Sequence, residues 1–89
     1  METFMPKIIC TCKNILSYSE IPCSIEYKFI SDYDYDKYQG MIDAESLYQQ
    51  MNSFLKCPQC ERLWIFWNGY NNPPIEYMKK ELNRDTKYD

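Results

Sequence analysis

The run Lys56-Cys57-Pro58-Gln59-Cys60 constrains this chain more than any other stretch. Proline directly after the first cysteine of a Cys-x-x-Cys pre-sets a tight turn, and such a turn presents two thiolates to one point in space. Two thiolates do not complete a metal site. Cys10 and Cys12 supply a second pair, and four sulfurs at tetrahedral angles form the closed shell that structural zinc prefers. The alternative for Cys10 and Cys12 is a pair of small apolar side chains on one face of a strand. The second pair favours ligation.

A metal matters for a chain of 89 residues. A domain of this size buries only roughly 60–65% of the surface it exposes when unfolded. Structural zinc contributes about 10–16 kcal/mol in finger-sized peptides at neutral pH, as much as the whole stability of a typical small domain. Five cysteines, an odd number, would leave one thiol over in a disulfide framework. The start Met1-Glu2-Thr3-Phe4-Met5-Pro6-Lys7 lacks the basic opening and apolar centre of a secretory signal, and no apolar run reaches the length of a membrane span. The expectation is a cytoplasmic chain in which reducing conditions favour metal ligation over disulfides. Cys23 reads as a buried free thiol, with a replacement ligand as the alternative.

Around the cysteines the pattern is one of short strands. Lys7-Ile8-Ile9 enters the first pair, Ile15-Leu16 leaves it, and Lys13-Asn14 is available for the turn. A strand is expected at about 24–30, where Ile25, Tyr27, Phe29 and Ile30 partly alternate. Residues 32–40 read as a loop or short helix. Asp43 is a good N-cap for a helix at about 44–55, since Ala44, Leu47, Tyr48, Met51, Phe54 and Leu55 recur at the spacing of one helical face. That apolar stripe is expected to face the core. Leu63 to Trp67 has strong strand propensity, Asn68-Gly69 signals a turn, and Ile75 to Met78 is the candidate hairpin partner. Trp64 and Phe66 share one face of this strand, Ile65 and Trp67 the other. Either both faces are buried or one is a contact surface.

Cys57-Pro58-Gln59-Cys60 followed by Leu63-Trp64-Ile65 resembles the second knuckle and strand of zinc-ribbon proteins, and with Cys10 and Cys12 the resemblance covers about a third of the chain. It implies that Cys10, Cys12, Cys57 and Cys60 hold one structural zinc. Two departures stand out: the first pair has a single intervening residue, and Glu61 occupies the place where ribbons usually put a glycine able to take positive φ. The expected fold is α+β, a small zinc-ribbon-like antiparallel sheet with one inserted amphipathic helix. It forms a single domain over 1–78 with an acidic insertion at about 18–56, followed by a charged tail at 79–89 that lacks apolar periodicity and is expected to be disordered.

The formal charge is −3, and a zinc ion with four thiolates would add a further −2. This disfavours the attraction to phosphate on which nucleic-acid binding usually rests and favours a basic protein partner. Residues 18–46 hold seven acids against two bases, interleaved with tyrosines. Asp32, Tyr33, Asp34, Tyr35, Asp36 and Tyr38 are the candidate contact residues, carboxylates for steering and phenols for area. The bland alternative is a solvated loop whose tyrosines pack inward.

A small acidic domain with such a face is similar in overall character to bacterial toxin-immunity proteins. That likeness implies a non-enzymatic module that neutralises a basic toxin or nuclease by binding it. A closed four-thiolate shell keeps no position for water, and the chain has no histidine to serve as general base, so catalysis is not expected. Two rivals remain. One is a nucleic-acid-binding ribbon using Lys7, Lys13, Lys56 and Arg62 with Trp64 or Trp67 as a stacking platform. The other is a thiol redox protein, which would require a surrounding βαβ pattern that the sequence lacks.

Overall fold

The structure, a computed structural model, describes residues 6–80. The expected first hairpin is present: β1 (Lys7–Ile9) pairs antiparallel with β2 (Ile15–Ser17), placing Ile8 opposite Leu16. Six further elements follow: β3 (Glu26–Phe29), α1 (Asp32–Tyr35), α2 (Ala44–Gln50), β4 (Asn52–Lys56), β5 (Leu63–Phe66) and β6 (Ile75–Tyr77). The last four strands form one antiparallel sheet in the order β3-β4-β5-β6. The fold is α+β, as expected, with two antiparallel sheets and two short helices. No helix among the described residues is long and apolar enough to cross a membrane.

The helix expected at 44–55 ends at Gln50, and this is the main correction to the sequence reading. Met51 turns extended, with φ −82° and ψ 149°, and residues 52–56 become β4. The apolar positions 47, 48, 51, 54 and 55 fit a helical period, but Ser53, Leu55 and Cys57 also fit a period of two. The strand wins because β4 lies between β3 and β5, so neighbours on both sides satisfy its backbone groups while Leu55 becomes fully buried. Burying one such side chain contributes about 1.5–3 kcal/mol. Nor does the remaining stripe face the core, for α2 buries no residue. Asp43 stands at its N-cap, where its carboxylate accepts from Ser46 Oγ at 3.1 Å rather than from a backbone amide.

The two sheets meet over Cys10, Leu16, Leu55, Cys57 and Phe66, with Ile8, Cys12, Tyr18, Ile25, Cys60 and Trp64 packed around them. The register explains this. Leu55 lies opposite Trp64 and Ser53 opposite Phe66, so these four share the inner face of the larger sheet. The same face holds a polar cluster. Lys28 pairs with Glu26 at 3.0 Å and donates to buried Ser53 at 2.6 Å, while the Tyr70 hydroxyl donates to Glu26 and lies 2.8 Å from the Ser53 hydroxyl. The Lys28 ammonium also lies 4.6 Å from the centroid of the Tyr48 ring.

The segment at 18–56, expected as an insertion, thus supplies β3 and β4 of the main sheet. Of the tail expected to be disordered, residues 81–89 lie outside the described residues, while Lys79 pairs with Glu61 at 2.9 Å.

Candidate metal centre

Two hairpin turns build the site. In the first, the Cys10 amide donates to the Asn14 carbonyl and the Lys13 amide to the Cys10 carbonyl, both at 2.8 Å. In the second, the Cys57 amide donates to the Arg62 carbonyl and the Glu61 amide to the Cys57 carbonyl, both at 2.9 Å. Each turn closes through a left-handed residue, Lys13 with φ 80° and Glu61 with φ 63°. Glu61 therefore takes the conformation for which ribbons use glycine, and the knuckle keeps its shape despite that departure.

The turns bring Cys10, Cys12, Cys57 and Cys60 together, with all four sulfurs within 4.8 Å of one another. Cys10 and Cys60 are 3.4 Å apart and Cys12 and Cys57 3.6 Å, far beyond a disulfide bond of about 2.05 Å, and all are free thiols. A tetrahedral ion with metal–sulfur bonds of about 2.3 Å would set the sulfurs about 3.8 Å apart. The arrangement fits a metal ion. Cys23 lies outside this cluster and points its thiol at the Ser17 carbonyl at 3.6 Å, so it is not brought in as a replacement ligand.

The surroundings prepare one sulfur for ligation more than another. Burial pushes the Cys57 thiol up, but the backbone amides of Cys60 and Gln59, with the Asn14 side chain, outweigh it and bring the thiol down to about 6. At Cys12 the Asn14 amide lowers the pKa, yet desolvation and the three neighbouring sulfurs push it up to about 12. Four sulfurs crowded together cannot all ionise without a cation between them. Cys60 is opposed by desolvation and lowered by the Arg62 backbone and side chain. Arg62 in turn lies 3.7 Å from Glu76, and Glu76 accepts from the Thr11 hydroxyl, so β6 is tied to both turns.

Asn14, Thr11, Arg62 and Glu76 were not expected to support the site. The available signal was an amide-bearing residue closing the first turn and a base directly following the second. Arg62, on sequence a candidate nucleic-acid contact together with Lys7, Lys13 and Lys56, turns toward the sulfurs, while those three lysines are exposed. Trp64 packs against the core, and the half-exposed Trp67 donates its indole N–H to the Tyr77 hydroxyl at 2.9 Å.

The acidic contact residues fall on a different element. Asp32, Tyr33, Asp34 and Tyr35 make up α1, Asp36 is its C-cap, and Tyr38 follows half-buried. Ser31 caps the helix by accepting from the Asp34 amide at 3.1 Å. The α1 side chains do not pack inward: Tyr33 is 90% and Tyr35 52% exposed. Asp34 is hydrogen-bonded by Lys37 and Ser31, which holds its carboxyl below the ordinary value.

A family model described as "Domain of unknown function (DUF8617)" matches residues 6–82, a span that takes in every strand among the described residues and all four clustered cysteines. No curated protein and no solved structure matches the chain.

Proposed function

We infer a function for a chain that belongs to the DUF8617 family, and the inference is of a non-enzymatic binding module clamped by one structural zinc. Its acidic, tyrosine-bearing segment at about 31–46 engages a basic protein, most concretely as an immunity or inhibitor protein that neutralises a basic toxin or nuclease in the cytoplasm. Zinc suits the donor set, since four thiolates on two short turns are the ligands and geometry it favours. It supplies cross-linking, and its shell leaves no place for a substrate.

One observation carries the binding half of this reading. α1 is capped and regular, yet buries none of its side chains, so Tyr33 and Tyr35 stand outward beside Asp32, Asp34 and Asp36. Ordered, exposed phenols among carboxylates supply area and steering to a basic surface.

The test uses the product of the adjacent gene as the candidate partner. Replacing Asp32, Asp34 and Asp36 together by Asn should slow association roughly tenfold at low salt and flatten its salt dependence. An unchanged rate and salt slope would remove the assignment. A gel shift showing tight RNA or DNA binding at near-physiological salt would favour the nucleic-acid ribbon instead.

A further inference from the structure

The outer face of the four-stranded sheet holds neither the clustered cysteines nor the α1 residues. The strand register sets Tyr27, Phe54, Ile65 and Ile75 in one row across all four strands, and Leu63 beside Tyr77 in the next. The rings form a continuous platform: Tyr27 stacks on Phe54 at 5.0 Å, Phe29 tilts against Phe54 at 6.0 Å, and Trp67 meets Phe29 edge-on at 5.4 Å. The platform is open to solvent. Tyr27 and Trp67 are each 46% exposed, Ile75 50%, Tyr77 41% and Met78 66%. A hollow of about 430 Å³ lies on it between Tyr27, Phe54, Leu63 and Tyr77.

The exposed area points to what covers this face. Aromatic side chains of roughly 150–250 Å² that are half exposed, with the aliphatic residues between them, leave on the order of 800 Å² of largely apolar surface. That is about the share each partner contributes to a standard stable interface, and more than a monomer usually leaves open. The rim beside the hollow carries Lys56 and a Glu61–Lys79 pair at 2.9 Å, a single positive charge in excess. The acidic field belongs to α1. A broad aromatic surface with one excess charge at its rim can pack on a copy of itself, and two such sheets pack face to face about 10 Å apart.

We propose that the outer face built on Tyr27, Phe54, Ile65, Ile75 and Tyr77 is the interface of a homodimer, two copies packing sheet to sheet about a two-fold axis. The five interface residues lie outside α1, which borders the platform at Phe29 and Trp67. The dimer can therefore carry two outward α1 surfaces.

Sedimentation equilibrium of the full, zinc-loaded chain between about 1 and 100 µM should give twice the chain mass of 10.8 kDa. Tyr27→Glu and Ile75→Glu each place a carboxylate in the apolar contact and should weaken the dimer about a hundredfold, with circular dichroism and metal content unchanged. If either fails to fold, Met78→Glu, just beyond β6, carries the same expectation. The Asp32, Asp34, Asp36 triple variant should remain dimeric. A monomer at every concentration overturns the proposal, as does a dimer that survives the sheet-face variants. A monomeric full chain that dimerises only when cut after Lys80 also overturns it, because the C-terminal residues would then be the occupant.

Discussion

The side-chain amide of Asn14 donates to the sulfur of Cys57 at 3.7 Å, so a residue of the first turn stabilises a thiolate of the second. Burial resists ionisation of Cys57, and this bond is one of those that bring it down to about 6. Protons compete with metal for thiolates, so metal is lost as pH falls. Asn14→Ala should raise the Cys57 pKa and move metal release to higher pH, weakening affinity roughly tenfold. Chelator competition across a pH series reads both; an unmoved release midpoint would show that Asn14 has no such role.

The clustered and unclustered cysteines should separate cleanly. Cys57→Ser removes a buried sulfur from the cluster; with structural zinc contributing about 10–16 kcal/mol in finger-sized peptides, the proposed clamp requires the variant to lose both its metal and its cooperative melt. Cys23→Ser should keep one metal per chain and change stability by less than about 1 kcal/mol. Native mass spectrometry with thermal melts distinguishes them.

Glu61 holds φ 63° in the second turn, a left-handed conformation that costs a non-glycine residue about 1–2 kcal/mol. Glu61→Gly gives up an exposed pair with Lys79, which solvent screens, and relieves that cost. It should raise stability by about 1 kcal/mol. Gly69→Ala, at φ 81°, should lower stability by a similar amount. Urea titrations of the two variants should show midpoints moving in opposite directions.

Glu26 and Lys28 set a pH window. Desolvation opposes the charge on Glu26, but Tyr70, Lys28 and Ser53 together hold its pKa below the ordinary 4.5. Its contribution is present above that value and is lost as pH falls through the depressed folded value. Desolvation likewise opposes the charge on Lys28, while Glu26 and Tyr70 raise its pKa above 10.5, so its contribution is present below that value and is lost as pH rises through the folded one. The pair should stabilise fully between these limits. Lys28→Met should cost about 1–3 kcal/mol at neutral pH by removing the ammonium that pairs with a half-buried carboxylate, which then keeps Tyr70 as its partner. Stability curves against pH should show this loss shrinking in acid, as pH falls through the depressed folded value of Glu26 in the unaltered protein.

The four clustered cysteines are legible in the sequence because a knuckle is local chemistry, in which proline, turn residues and two thiols act within a few positions. The hairpins around them, β1 with β2 and β5 with β6, are legible for the same reason, through strand propensity joined by short turn signals. Phe54 and Leu55 are not, because they satisfy a helical and a strand period equally well. Nor does any local feature of Asn14 disclose a sulfur 43 residues away.

By itself the sequence determined which thiols can share an ion, which turns present them, and that the fold is α+β. Tertiary structure decided the rest. It turned residues 52–56 into a central strand, since only β3 and β5 lying alongside can satisfy that backbone and bury Leu55. It left the α1 tyrosines and the outer sheet face in solvent, because exposure is a property of what packs against a residue and not of the residue. Turn chemistry acts over a few bonds and can be read from a string; burial is a sum over distant neighbours and appears only when the chain has closed.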